Sequence, residues 1–212
     1  MSFRKDYIFY SKNNESSNEK FTTGIDFTNT AAEVITSLFS QELDLGMHGL
    51  CFSLYEDGQK PGDLISEEQV RRRIKIIAPY TKWVRSFSCT EGNEFIPKIA
   101  KEFGIKTLVG AWLGNDPEVN EKEIAGLIQL ANDGFVDIAA VGNEVMYRKD
   151  LTEDELLDFI SQVKKEIPNN IPVGYVDAYY EFSIKPRITE ACDVILTNCY
   201  PYWEGSTIEY AL

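Results

Sequence analysis

The chain has one histidine, His48, in 212 residues, and that scarcity excludes more chemistry than any other feature. A serine hydrolase would need His48 as its base, yet no serine sits in a nucleophile-elbow pattern. A multi-histidine metal site is ruled out, and no EF-hand spacing supports an all-carboxylate one. Cysteine is also sparse. Cys51, Cys89, Cys192 and Cys199 match no zinc or redox spacing, and the apolar runs around them predict buried thiols acting as small hydrophobes. No apolar run approaches the roughly 18–20 residues that cross a bilayer. Positive charge is short: 21 basic against 34 acidic residues give a net charge of −13, which argues against nucleic acid and anionic membrane partners. A neutral polymer such as a polysaccharide is not repelled. Acid–base work therefore falls to carboxylates, with no metal or cofactor implied.

Residues 1–46 differ from the rest. Residues 11–20 are polar, no apolar h-region marks a secretory leader, and 29–45 predicts an amphipathic helix with Val34, Leu38 and Phe39 on one face. The default location is cytoplasmic, or outside the cell if the chain is part of a longer product.

From residue 47 onward a second domain is expected, built from a regular alternation. Strand-like runs fall at 49–55, 83–88, 106–113, 136–145, 172–178 and 194–202. Between them, Ser66-x-x-Gln69 predicts a capping box ahead of Val70, Ile74 and Ile77. Phe95, Ile99 and Phe103 form a stripe stopped by Gly104, and Ile124, Leu127, Ile128 and Ala131 form another. Thr152-x-x-Glu155 caps a fourth helix with Leu156, Ile160, Val163 and Ile167 inward. Such alternation implies a parallel α/β sheet, open or closed into a barrel. No glycine-rich phosphate loop follows the first strand, which weakens a nucleotide-binding sheet. Polar and aromatic residues recur at the C-terminal ends of all six strands: Tyr55, Arg85, Trp112, Asn143 with Glu144, Asp177, and Tyr200 to Glu204. In a barrel that end carries the chemistry.

The run 136–147 ends in Gly142-Asn143-Glu144, and a carboxylate at a buried strand end is costly unless used or paired. Glu144 is the first catalytic candidate; the plainer alternative is a glutamate that meets solvent or a lysine.

The landmarks GLCFSLYEDGQKPG (49–62), VRSFSCTEG (84–92), LVGAWLGND (108–116), VGNEVMYRKDLT (141–152) and CYPYWEG (199–205) resemble glycoside hydrolase family 17, especially its bacterial and fungal branch. The resemblance implies a (β/α)8 TIM barrel that hydrolyses β-1,3-glucan with retention or transfers the glucosyl unit to a sugar acceptor. It implies Glu144 as general acid/base, Asn143 on the sugar 2-hydroxyl, and Tyr200 near the nucleophile. Trp112, Tyr202 and Trp203 would offer flat faces to sugar rings, with Tyr55, Arg85, Asp177 and Glu204 as further groove residues. The family's nucleophile is a second glutamate on strand seven. Only six units can be counted, and Glu209 follows no strand, so that glutamate is expected on a strand beyond Leu212. Six parallel strands leave two edges unpaired, which a longer product, a second copy or a truncated, inactive chain would each explain, the first most simply. A non-catalytic glucan-binding module is the rival from another class.

Overall fold

The computed structural model describes residues 27–201 and 203–206. Six strands, β1 (Leu50–Cys51), β2 (Trp83–Arg85), β3 (Lys106–Ala111), β4 (Ile138–Asn143), β5 (Val173–Ala178) and β6 (Val194–Asn198), form one sheet in the order β1-β2-β3-β4-β5-β6. Pairing from β1 through β5 is parallel throughout. The connections are helical: α2 (Glu67–Ile77), α3 (Phe95–Glu102), α4 (Pro117–Asn132), α5 (Val145–Arg148), α6 (Glu153–Glu166), α7 (Tyr179–Ile184) and α8 (Pro186–Ala191). Sequential order with a helical crossover at every step is the arrangement of six units of a (β/α)8 barrel.

Burial follows position in the sheet. β4 and β5 are buried on both faces, which their near-continuous apolar sequences require, while β6 exposes Ile195. One core cluster joins Phe52, Leu54, Ile65, Val70, Ile74, Ile96 and Ile99 under the first two units. A larger one gathers Val109, Leu127, Val141, Leu156, Ile160, Val163 and Tyr175 under the later ones. Both lie inside a compact unit, Gln41–Thr197; residues 27–40, 198–201 and 203–206 belong to a second unit.

Each predicted strand is present; β5 ends at Ala178 as predicted, and the other five end earlier than predicted, where the chain leaves the ladder. The capping box at Thr152 is complete. At Ser66 only half of it forms. The serine oxygen accepts from the Gln69 N–H, but the Gln69 amide turns instead to the Leu54 carbonyl (2.9 Å) and to Gln59. The α3 stripe runs through Ile96, Ile99 and Ala100, with Phe103 left exposed beyond the helix end. The predicted N-terminal helix forms as α1 (Ala32–Leu45), yet Val34, Leu38 and Phe39 are exposed. Of the cysteines only Cys89 is buried; Cys192 is half-buried, and Cys51 and Cys199 are exposed. No helix among the described residues is long and apolar enough to cross a membrane.

Candidate active site

The end of β4 departs from regular geometry in two places. Its register against β5 shifts by one residue, since Ala140 pairs with Gly174 but Asn143 pairs with Val176. The extra residue is a bulge, which re-aims the side chains that follow it. Gly142, inside the bulge, has φ +88°, and a Cβ there would stand 2.8 Å from Cγ2 of Val145, so glycine is required on both counts. Glu144 follows in the left-handed region, at φ 54° and ψ 29°. A side chain in this region is strained by about 1–2 kcal/mol, and the surroundings must hold it there.

They do so through the backbone. The Glu144 N–H donates to the Val176 carbonyl at 2.8 Å, and the Glu144 carbonyl accepts from the Arg148 N–H at 2.9 Å. Below the turn, Tyr175 and Asp177 of β5 form a dyad: the tyrosine hydroxyl donates to Asp177 Oδ2 and also accepts from the Met146 N–H at 2.9 Å. Asp177 Oδ2 takes the Met146 and Tyr147 N–H groups at 3.2 and 3.3 Å, while Oδ1 takes the Ala178 N–H at 2.7 Å. Burial pushes the Asp177 carboxyl above its ordinary value, against the opposing hydrogen bonds, and pushes the Tyr175 hydroxyl up as well.

Asn143 is 8% exposed, and its Oδ1 accepts from Arg85 Nη2 at 2.5 Å. Arginine has only donors, so the bonded atom is the amide oxygen and the NH2 group is the donor end. Arg85 also stacks on Phe87, 4.5 Å from the ring centroid. Two other side chains complete the scaffold. Arg148 donates from Nη1 to the Asn143 carbonyl, from Nη2 to the Leu113 carbonyl at 2.9 Å and from Nε to Asp150 at 2.6 Å. Its guanidinium lies 4.7 Å from the centre of the Trp112 ring. Glu123 of α4 is 1% exposed and accepts four bonds, from the Ser88 and Thr90 hydroxyls (both 2.6 Å) and the Cys89 and Trp112 N–H groups (2.8 and 2.9 Å). That carboxylate joins the loops after β2 and β3.

Above the ends of β1 to β3 lies a cavity of about 460 Å³, walled by Phe52, Leu54, Tyr55, Phe87 and Trp112, with Glu123 and Ser88 among its polar groups. Tyr55 and Trp112 are therefore brought together, Trp112 remaining 40% exposed. Arg85 and Asn143 meet at the end of β4. Asp177, expected in the groove, is fully buried, because β5 packs both its faces and the N–H groups of Met146, Tyr147 and Ala178 supply its donors. Tyr200, Trp203 and Glu204 lie in the second unit, Tyr200 and Trp203 exposed and Glu204 half-buried; Tyr202 lies outside the described residues. Glu123 and Arg148 escape sequence reasoning. A signal for the first exists: Asn120 and Glu123 fall on the same helical face as Ile124, Leu127 and Ala131, and a charged residue on a buried face must be satisfied. Among the described residues no group of three or more histidines, cysteines or carboxylates is placed to hold a metal ion.

A sequential parallel strand–helix sheet is the plan of a (β/α)8 barrel, and the resemblance implies a glycoside hydrolase for one whose fourth strand ends in an asparagine–glutamate pair. Residues 49–211 match the family model described as the BtgE/BtgC glycoside hydrolase domain, and the chain belongs to that family. It is 27% identical over 144 residues to a glucan 1,3-beta-glucosidase of Schizosaccharomyces pombe, an alignment covering 62% of this chain and 45% of the relative. It is 24% identical over 216 residues to the Saccharomyces cerevisiae protein of that name, covering 87% and 64%. Among solved structures, an active-site mutant of Rhizomucor miehei beta-1,3-glucanosyltransferase in complex with laminaritriose superposes with a TM-score of 0.66 at 26% identity, covering 78% of this chain and 62% of that one. The chain thus spans between about half and two thirds of the length of these relatives. These likenesses agree with the resemblance to glycoside hydrolase family 17.

Proposed function

We propose that the protein acts on β-1,3-glucan as a retaining glycosidase, with Glu144 as general acid/base and residues from 47 onward forming the glycosidase domain. The observation that carries this reading is the end of β4, where a bulge, a left-handed glutamate and an arginine-oriented asparagine coincide. Strain of this kind persists only where the surrounding structure over-determines it, and it concentrates at active sites.

In the first half-reaction the Glu144 carboxyl donates its proton to the glycosidic oxygen as the bond to the anomeric carbon breaks. The carbon is taken by a carboxylate nucleophile, expected on a seventh strand and so outside the six strands described, to give a glucosyl-enzyme. In the second, the Glu144 carboxylate removes a proton from the incoming hydroxyl, and the same group thus serves as base. The NH2 of Asn143 donates to the sugar O2, a bond that strengthens as positive charge grows on the ring. Trp112 and Tyr55 supply flat walls for neighbouring sugars, and Asp177 positions the acid turn from below. Tyr200, Tyr202, Trp203 and Glu204 are read as groove residues on the family resemblance.

Transfer to a sugar acceptor is the second reading, favoured by the likeness to a glucanosyltransferase. The residues are the same and only the incoming hydroxyl differs. Product analysis at high oligosaccharide concentration separates the two, since elongated products identify transfer. The proposal as a whole is tested with Glu144→Gln in the full-length protein. Turnover of β-1,3-oligosaccharides is expected to fall by at least about 10²–10⁴-fold with binding retained. An unchanged rate would refute the role of Glu144.

A further inference from the structure

We propose that Arg148 is a positioning residue that locks the acid-bearing turn to the Trp112 sugar platform, an inference that rests on reading Glu144 as the acid/base. The side chain is half-buried and all three guanidinium nitrogens are engaged. Nη1 holds the carbonyl of Asn143, which is one half of the peptide group leading into Glu144. The other half, the Glu144 N–H, is fixed on the Val176 carbonyl. Both ends of that peptide are therefore held, and its plane sets the direction in which the Glu144 side chain leaves the backbone.

Nη2 reaches the carbonyl of Leu113, the residue after Trp112, and the guanidinium carbon lies over the indole ring, 4.7 Å from its centroid. Nε is anchored on Asp150, which keeps the fork from rotating. The Trp112 backbone is held from a second direction as well, because its main-chain N–H donates to the buried Glu123. One side chain thus connects the end of β3, the end of β4 and an aromatic wall of the cavity. A flat, five-donor cation is needed for this. Lysine offers a single rotating ammonium that can neither bridge two carbonyls in a fixed fork nor lie flat on an indole. The link makes sugar bound against Trp112 and the proton donor parts of one rigid frame, where a misplacement of about 1 Å lowers the rate by about 10²-fold.

A residue that merely supports the fold would reduce every activity alike, so the test compares leaving groups in full-length Arg148→Lys. A β-1,3-oligosaccharide needs a proton to depart; a 2,4-dinitrophenyl β-glycoside of the same sugar does not. The expected result is a kcat/KM about 10–100-fold lower for the oligosaccharide and within about threefold of wild type for the dinitrophenyl glycoside. An equal loss on both substrates would overturn the proposal. Fluorine NMR on protein carrying 5-fluorotryptophan gives a second readout, with the Trp112 line assigned through Trp112→Phe. That line should move in Arg148→Lys, and an unmoved line would contradict the link. If wild type turned over neither substrate, the Glu144 reading would fail, while the Trp112 resonance would still decide whether Arg148 holds the platform.

Discussion

Arg85 Nη2 stands 2.5 Å from Oδ1 of Asn143, so a cation carried by β2 decides which end of an amide on β4 faces outward. Removing the arginine lets the amide turn over and present its oxygen to an acceptor. Arg85→Ala is therefore expected to lower kcat/KM on β-1,3-oligosaccharides by about 10²-fold, the scale of a misoriented contact. On a 2-deoxyglucosyl substrate the same variant should lose much less, because the sugar no longer carries the oxygen that Asn143 addresses. Steady-state kinetics on the matched pair checks this; equal losses would place Arg85 outside the recognition of that hydroxyl.

Gly142 meets two demands that alanine fails. Its φ of +88° and the 2.8 Å approach to Val145 Cγ2 predict that Gly142→Ala destabilises the fold by about 1–3 kcal/mol, measured by urea denaturation. A variant as stable as wild type would show that the bulge relaxes easily and that the turn is not held by its surroundings.

Glu123 accepts from two hydroxyls and two N–H groups. Glutamine can keep its oxygen on the two backbone N–H groups, but its NH2 then faces the Ser88 and Thr90 hydroxyls, whose protons lose their carboxylate acceptor. A loss of about 1–3 kcal/mol is expected for Glu123→Gln, since buried donors are left unpaired. Thermal unfolding measures it, and tryptophan fluorescence should report a shifted Trp112 environment.

Away from the site, Asp137 provides a pH signature. Burial raises its carboxyl, but Lys101 at 2.8 Å and the Thr107 N–H outweigh that, and the net direction is below its ordinary 3.8. A depressed folded value means that the stabilisation is present above the unfolded value and is lost as pH falls through the folded one. The stability gap between wild type and Asp137→Asn should therefore be about 1–2 kcal/mol at neutral pH and close at pH values below 3.8. A gap independent of pH down to that range would show that the carboxylate charge contributes nothing.

The sequence exposes those parts of the fold that depend on local pattern. Val70 with Ile74, and Leu156 with Ile160 and Val163, are readable because helical periodicity and burial coincide. Glu144 stands out in the sequence as a candidate because a carboxylate closing an apolar run is costly without a use. The bulge at Gly142 is not, because register belongs to a pair of strands and not to one. Arg148 escapes for the same reason, since its partners Leu113 and Asn143 come from different units. Asp177 misleads: a carboxylate at a strand end looks the same whether it faces the groove or the underside of the neighbouring turn. Val34, Leu38 and Phe39 keep helical spacing without burial, so amphipathic pattern there does not report packing.

The central claim is that Glu144 passes a proton to and from oxygen on a retaining path. Glu144→Ala in the full-length protein, given a dinitrophenyl β-1,3-linked glycoside and sodium azide, tests it most directly. Azide needs no base to attack the glucosyl-enzyme, so the account predicts that azide restores turnover and yields a β-glycosyl azide. Turnover indifferent to azide, or an α-configured azide, would contradict it.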